Sequence, residues 1–120
     1  ATIHLPTDIV PDLDPRVIGH IMALHGKALE DHHLDEPDRI GYTLKATGAG
    51  WWAYHHAPDF AEGLLQVVHA GGDGAVAGSV LGARFGFSTI PAPWVDGLNR
   101  RDELMERADR LVAILSAGSR

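Results

Sequence analysis

The run of residues 74–86 restricts the fold more than any other part of the chain, because one side of it carries almost no side chains. Glycines recur there at four-residue steps with other small residues beside them, a spacing that puts them on one face of a helix. They are Gly74, Gly78 and Gly82, accompanied by Ala75, Ser79 and Ala83. Glycine costs a helix roughly 0.5–1 kcal/mol relative to alanine, so a closely packed neighbour must compensate. The pattern predicts a central helix that ends at Gly86.

The first half of the chain has the spacing of two more helices, after a proline-containing lead-in over residues 1–13 that reads as extended. Asp14 is a good N-cap and Pro15 suits a first helical turn. Apolar residues then recur at helical spacing as far as Leu29, which predicts a helix between Asp14 and Leu29. The range 41–57 is also helix-like, although its internal glycines weaken that prediction.

The second half contains two further helix patterns and a loop. Asp59, followed three residues later by Glu62, has the form of a capping box, and the helix that it starts should end at the glycine pair 71–72. The prolines in the range 91–93 mark a loop. From Asp102 onward, apolar residues again fall on one helical face. Because no segment alternates like a strand, the sequence predicts an all-α fold with about five helices.

Length and charge limit the possible classes of protein. We expect residues 1–120 to form a single domain or the C-terminal part of one larger all-α domain. The formal net charge of −6 argues against a nucleic-acid partner, since such proteins need clustered Lys and Arg. No apolar stretch approaches the roughly 20 residues that span a bilayer, so we expect no membrane partner. The N-terminal residues lack the pattern of a secretory signal, and we expect a cytoplasmic protein.

Soft metal sites are disfavoured by the residue types present. The chain has no cysteine, which excludes disulfides and thiolate ligands. Its eight histidines include the pairs His32-His33 and His55-His56, but none forms the His-Glu-x-x-His arrangement of a zinc site.

Five short motifs follow one another in the chain between residues 41 and 94. In order they are Gly41-Tyr42, Asp59-Phe60, Gly71-Gly72-Asp73, Gly82-Ala83-Arg84-Phe85-Gly86 and Ile90-Pro91-Ala92-Pro93-Trp94. In this order and spacing the chain resembles the ADP-ribosylglycohydrolase family, most clearly over residues 41–115. The resemblance implies the multihelical all-α fold of that family, here its C-terminal part.

The resemblance also implies a site. Asp73 matches a carboxylate that holds a magnesium or manganese pair in the family, and such hard cations prefer carboxylate, hydroxyl and water oxygens. Gly71 and Gly72 match positions where backbone and substrate approach closely, and Tyr42 matches a position near the bound ADP-ribose. In the family a second Asp and a Thr follow in the same loop, whereas here Asp73 is followed directly by Gly74, so the dinuclear site is incomplete.

The function implied by the resemblance is metal-dependent hydrolysis of N- or O-glycosidic ADP-ribosyl bonds in proteins or small molecules, with catalytic residues unassigned and this chain alone inactive. A non-catalytic ADP-ribose-binding module and a structural, crystallin-like relative are the alternatives. For single residues, plainer interpretations also stay open. Gly71 and Gly72 are compatible with a simple helix stop, Asp73 with an N-cap and Tyr42 with helix packing.

Overall fold

The computed structural model describes residues 13–39 and 42–118, and within them it contains six α-helices and no strand. In chain order the helices are α1 (Pro15–His25), α2 (Thr43–His56), α3 (Phe60–His69), α4 (Gly74–Phe85), α5 (Ala92–Asp96) and α6 (Arg101–Gly118). Short 3₁₀ turns cover Leu29–His32, Pro37–Arg39 and Phe87–Thr89. The all-α prediction is confirmed. The predicted extended lead-in, apart from its last residue, and Gly41 lie outside the described residues.

The described residues up to Thr89 form one compact unit built around α2 and α4. Helix α2 packs against α1, α3 and α4, and α4 also packs against α3. The most deeply buried apolar residues of this core are Ala49, Ala53, Val67, Ala77 and Leu81. The position of residues 74–85 as a central helix is therefore confirmed.

The glycines of α4 meet the side chains of α3 rather than a neighbouring backbone. A Cβ atom placed on Gly74 would lie 3.0 Å from the side chain of Val68, and one on Gly82 would lie 3.9 Å from that of Phe60. Bulky α3 residues therefore fill the space that the bare face leaves. The backbone of α4 lies close to α2 instead, where a Cβ on Gly50 would lie 3.8 Å from the Cα of Ala77.

Helix α2 continues through Gly48 and Gly50 because both positions are buried against other helices. A Cβ on Gly48 would lie 3.0 Å from the side chain of Leu24 in α1. A Cβ on Gly50 would lie 3.2 Å from the side chain of Val80 in α4. Close tertiary packing thus offsets the low helix propensity of these glycines. Because this packing is not visible in the sequence, the local pattern predicted α2 only weakly.

Two boundary predictions are wrong. Helix α1 starts as predicted, with the N–H of Arg16 donating to Oδ1 of Asp14 at 2.8 Å, but it ends at His25 and not at Leu29. Leu29 is buried, but it lies in a separate 3₁₀ turn. The apolar pattern thus indicated correctly that Leu29 is buried, but the helix ends before it. The predicted loop over residues 91–93 contains the start of α5, because Pro93 occupies the first turn, where no backbone N–H is needed.

The residues from Ile90 onward form a second compact unit that contains α5 and α6. Its helix α6 carries ion pairs between Glu103 and Arg107 and between Glu106 and Arg110, at 2.9 Å each. Exposed pairs of this kind contribute roughly 0.3–0.5 kcal/mol each. The large apolar residues exposed on α6 are Leu104, Leu111, Val112, Ile114 and Leu115. None of the described helices has the length and apolar character needed to cross a membrane.

Candidate functional site

The junction between α3 and α4 consists of only four residues, 70–73, and its backbone bonds are those of a Schellman motif. The N–H of Gly71 donates to the carbonyl of Val68 at 3.0 Å, and the N–H of Gly72 donates to that of Val67 at 2.9 Å. Gly71 has φ of +91°, the left-handed conformation that this motif requires and that glycine adopts without strain. The predicted helix stop at the glycine pair is confirmed.

The same two glycines allow a distant segment to contact the junction. A Cβ on Gly71 would lie 2.8 Å from the Cα of Asp35, and one on Gly72 would lie 3.0 Å from Cδ1 of Leu34. Such distances leave no room for a side chain at either position. The glycine pair therefore has a structural role in packing, in addition to any contact with a ligand.

Lys45 of α2 fixes the segment that contacts the glycines. Its Nζ donates to the carbonyl of His33 at 2.8 Å and to Oε2 of Glu36 at 2.7 Å. The lysine side chain is only 16% exposed, so both bonds are partly shielded from water. Lys45 lies three residues after Tyr42, and it thereby links the start of α2 to the α3–α4 junction through residues 33–36.

Asp73 is the N-cap of α4. Its Oδ1 accepts from the N–H of Ala75 at 2.9 Å and from the N–H of Val76 at 3.1 Å. The second carboxylate oxygen, Oδ2, takes no part in this cap. Helix α4 begins at Gly74, so no loop residue separates Asp73 from the helix.

The structure places the four predicted site residues on two elements. Gly71, Gly72 and Asp73 lie together in the α3–α4 junction. Tyr42 immediately precedes α2 and is 44% exposed, but it lies in a different segment of the unit. Among the described residues, no group of three or more His, Cys, Asp or Glu is arranged to hold a metal ion. Magnesium or manganese binding by Asp73 therefore stays a prediction.

A cavity of about 440 Å³ lies beside this junction, because Ala70 forms part of its wall. Its volume is within the size range of small-molecule sites. Its walls are formed by Ala28, Leu29, Glu30, Trp52, Gln66, His69 and Ala70. None of the predicted site residues is among them. Sequence reasoning missed this cavity because its walls come from three separated segments, and no local spacing joins them.

The fold and the junction together define a class: an all-helical unit in which a Gly-Gly turn ends one helix and an Asp directly caps the next. A sequence model of the ADP-ribosylglycohydrolase family matches residues 4–119. The chain therefore belongs to the ADP-ribosylglycohydrolase family. The match begins well upstream of Gly41, so the family pattern extends over more of the chain than its motifs indicated.

Two curated relatives are similar to parts of the chain. An ADP-ribosylarginine hydrolase, Tri1, of Serratia proteamaculans is 26% identical over 95 residues, which cover 76% of this chain and 26% of the relative. An uncharacterized protein of Archaeoglobus fulgidus is 37% identical over 73 residues, which cover 58% of this chain and 23% of the relative. The chain thus spans about a quarter of the length of these relatives. No solved structure gives a significant match.

Proposed function

We propose that the protein takes part in hydrolysis of ADP-ribosyl groups from proteins or small molecules. Family membership supports a hydrolase of ADP-ribosyl bonds, and the Serratia relative is an ADP-ribosylarginine hydrolase by name. The observation that carries the proposal is the α3–α4 junction, where Gly71, Gly72 and Asp73 form one compact turn at the start of a helix. An ADP-ribosylated arginine is therefore the first substrate to test.

The metal that the family implies does not fit the described residues by themselves. Asp73 is one carboxylate, and one of its two oxygens already caps α4. The described part of the chain brings no further group of acidic or histidine ligands together. We therefore propose that these residues alone do not hold a magnesium or manganese pair, and that a polypeptide made of them alone does not turn over substrate.

The test is release of ADP-ribose from an ADP-ribosylated arginine substrate, with Mg²⁺ or Mn²⁺ present, by a purified protein whose intact mass is known. A polypeptide with the 12.9 kDa mass of these residues should give no release above the no-enzyme control. Any natural polypeptide that contains them together with further metal ligands should give metal-dependent release. Turnover by the 12.9 kDa chain would contradict the proposed incompleteness. Absence of release from a longer form with metal bound would contradict the proposed hydrolase.

A second candidate function is ADP-ribose binding without catalysis. The direct start of α4 after Asp73 favours it, because the junction has no loop that could carry additional ligands. Calorimetric titrations with Mn²⁺ and with ADP-ribose separate the candidates. If the protein is a hydrolase, both Mn²⁺ and ADP-ribose should bind. If it is a binding module, only ADP-ribose should bind, and if it is a structural, crystallin-like relative, neither should bind.

A further inference from the structure

His32 is a buried imidazole that the proposed hydrolysis does not use. It ends the 3₁₀ turn Leu29–His32 and is only 3% exposed. Its Nε2 lies 3.1 Å from the carbonyl oxygen of Leu24 in α1. Because a carbonyl can only accept, we assign the proton of the neutral ring to Nε2, which leaves Nδ1 with a lone pair. Nδ1 is buried and has no hydrogen-bond partner in the described part of the chain.

A second proton on this ring would create a buried charged donor without an acceptor, which is costly away from water. The groups that face the ring do not offer compensation on balance. His20 from α1 and Lys27 from the turn after α1 both oppose a positive charge on it, and Asp31 of its own turn favours one. Burial has the largest effect and lowers the pKa of His32 below its ordinary value of 6.5, against the opposing influence of the Leu24 carbonyl.

Helix α2 presents an aromatic side chain to the same ring. The indole of Trp52 meets His32 edge to face, with ring centroids 6.3 Å apart. The outer partner of that indole is His56, which stacks on it at 4.6 Å and is exposed. The imidazole of His32 therefore packs between the end of α1 and an aromatic side chain of α2, and neither neighbour supplies an anion.

The segment that follows His32 supports the α3–α4 junction. His33 turns the chain with φ of 52°, and Leu34 is then 4% exposed and packs against Gly72. Asp35 lies against Gly71. Movement of the 3₁₀ turn would thus withdraw the residues that contact both glycines of the junction.

We propose that His32 is an acid-sensitive latch: its neutral ring holds the turn Leu29–His32 against α1 and α2, and protonation releases that turn together with its contacts to Gly71 and Gly72. The latch does not depend on whether the protein hydrolyses ADP-ribosyl bonds. Because the folded state binds this proton less readily than the unfolded state, the stability from the latch is complete above about pH 6.5 and is lost as the pH falls below that value.

The first test compares the pH dependence of urea unfolding for the full chain and for His32→Gln, whose side-chain amide can still donate to the Leu24 carbonyl but does not titrate. Below pH 6.5 the unfolding constant of the parent should rise relative to that of His32→Gln, by at most about tenfold per pH unit for one proton. His33→Asn is the matched control, since it removes the exposed neighbouring imidazole and suits the left-handed backbone there. This control should follow the parent. Parallel profiles for the parent and His32→Gln would overturn the proposal.

Two measurements keep the proposal testable if His32→Gln is poorly folded. Nitrogen chemical shifts of the His32 ring in the parent report its tautomer and its titration, and a midpoint at or above 6.5 would overturn the latch. Amide hydrogen exchange then tests the coupling to the junction. After correction for the intrinsic pH dependence of exchange, the amides of Gly71 and Gly72 in the parent should be less protected at pH 5.5 than at pH 7.5, and the control His33→Asn should show the same change. Equal protection at both pH values would contradict the coupling.

Discussion

Replacement of Asp73 separates its two possible roles, because the cap and a metal site require different properties of the side chain. In Asp73→Ala the N–H groups of Ala75 and Val76 both lose their acceptor. Loss of an N-cap costs about 0.5–2 kcal/mol, and the partial burial of Val76 places this case toward the upper end. In Asp73→Asn the amide oxygen can still accept from both groups, and only the charge at the helix start is lost, at about 0.3–1 kcal/mol.

The assay is urea unfolding at pH 7 of the parent and the two variants. We expect Asp73→Ala to be destabilised by about 1.5 kcal/mol and Asp73→Asn by about a third of that amount. Asp59 provides the matched control, because its Oδ1 caps α3 by accepting from the N–H of Glu62 at 2.7 Å, away from the junction. The pair Asp59→Ala and Asp59→Asn should show the same order of stability. If Asp73→Asn were as unstable as Asp73→Ala, the assignment of Oδ1 as the cap would be refuted.

Metal affinity tests the second possible role of Asp73, in any form of the protein that binds Mn²⁺. Both Asp73→Ala and Asp73→Asn remove the charged oxygen, so both should lose most of the metal affinity and nearly all hydrolysis while they remain folded. The two Asp59 variants should keep both properties. Unchanged Mn²⁺ affinity and rate in Asp73→Asn would leave the cap as the only role of this residue.

Two further substitutions test the packing of glycines. Gly71→Ala should destabilise the protein by about 2–5 kcal/mol in urea unfolding. The reason is that it combines a left-handed φ of +91° with a Cβ only 2.8 Å from the Cα of Asp35. A loss of stability below about 1 kcal/mol would contradict the close approach of the two segments. Gly19→Ala should stabilise the protein by roughly 0.5–1 kcal/mol, because Gly19 lies within α1 with open space around its Cβ position. A loss of stability in this variant would contradict the open space at that position.

Local signals in the sequence were sufficient for most of the helices. The caps at Asp14 and Asp59 are formed by the side chains that their positions indicated. The stop at Gly71 and Gly72 is also where the residue pattern put it. These features depend on neighbours within one helical turn, and such neighbours are visible in the sequence.

Contacts between distant segments could not be read in the same way. Gly71 and Asp35 are far apart in the chain, and their approach depends on the 3₁₀ turn that buries Leu29 and His32. The apolar pattern marked Leu29 as buried but could not distinguish a continued helix from a new turn after Gly26. The cavity beside Trp52 is a product of the same packing, and for that reason no motif indicated it.

Several polar groups of the α3–α4 junction already have hydrogen-bond partners within the protein, and this limits how a cation could bind there. The N–H groups of Gly71 and Gly72 bond back to α3, and Oδ1 of Asp73 bonds forward to α4. A cation that took both oxygens of Asp73 would remove the cap from α4, whereas one that took Oδ2 alone would leave the cap intact. Binding through Oδ2 alone supplies a single ligand, and a hard divalent cation needs about six oxygens, so water or further residues must supply the others. The junction connects two helices, and we propose that it binds a cation only where other ligands lie close to Oδ2 of Asp73.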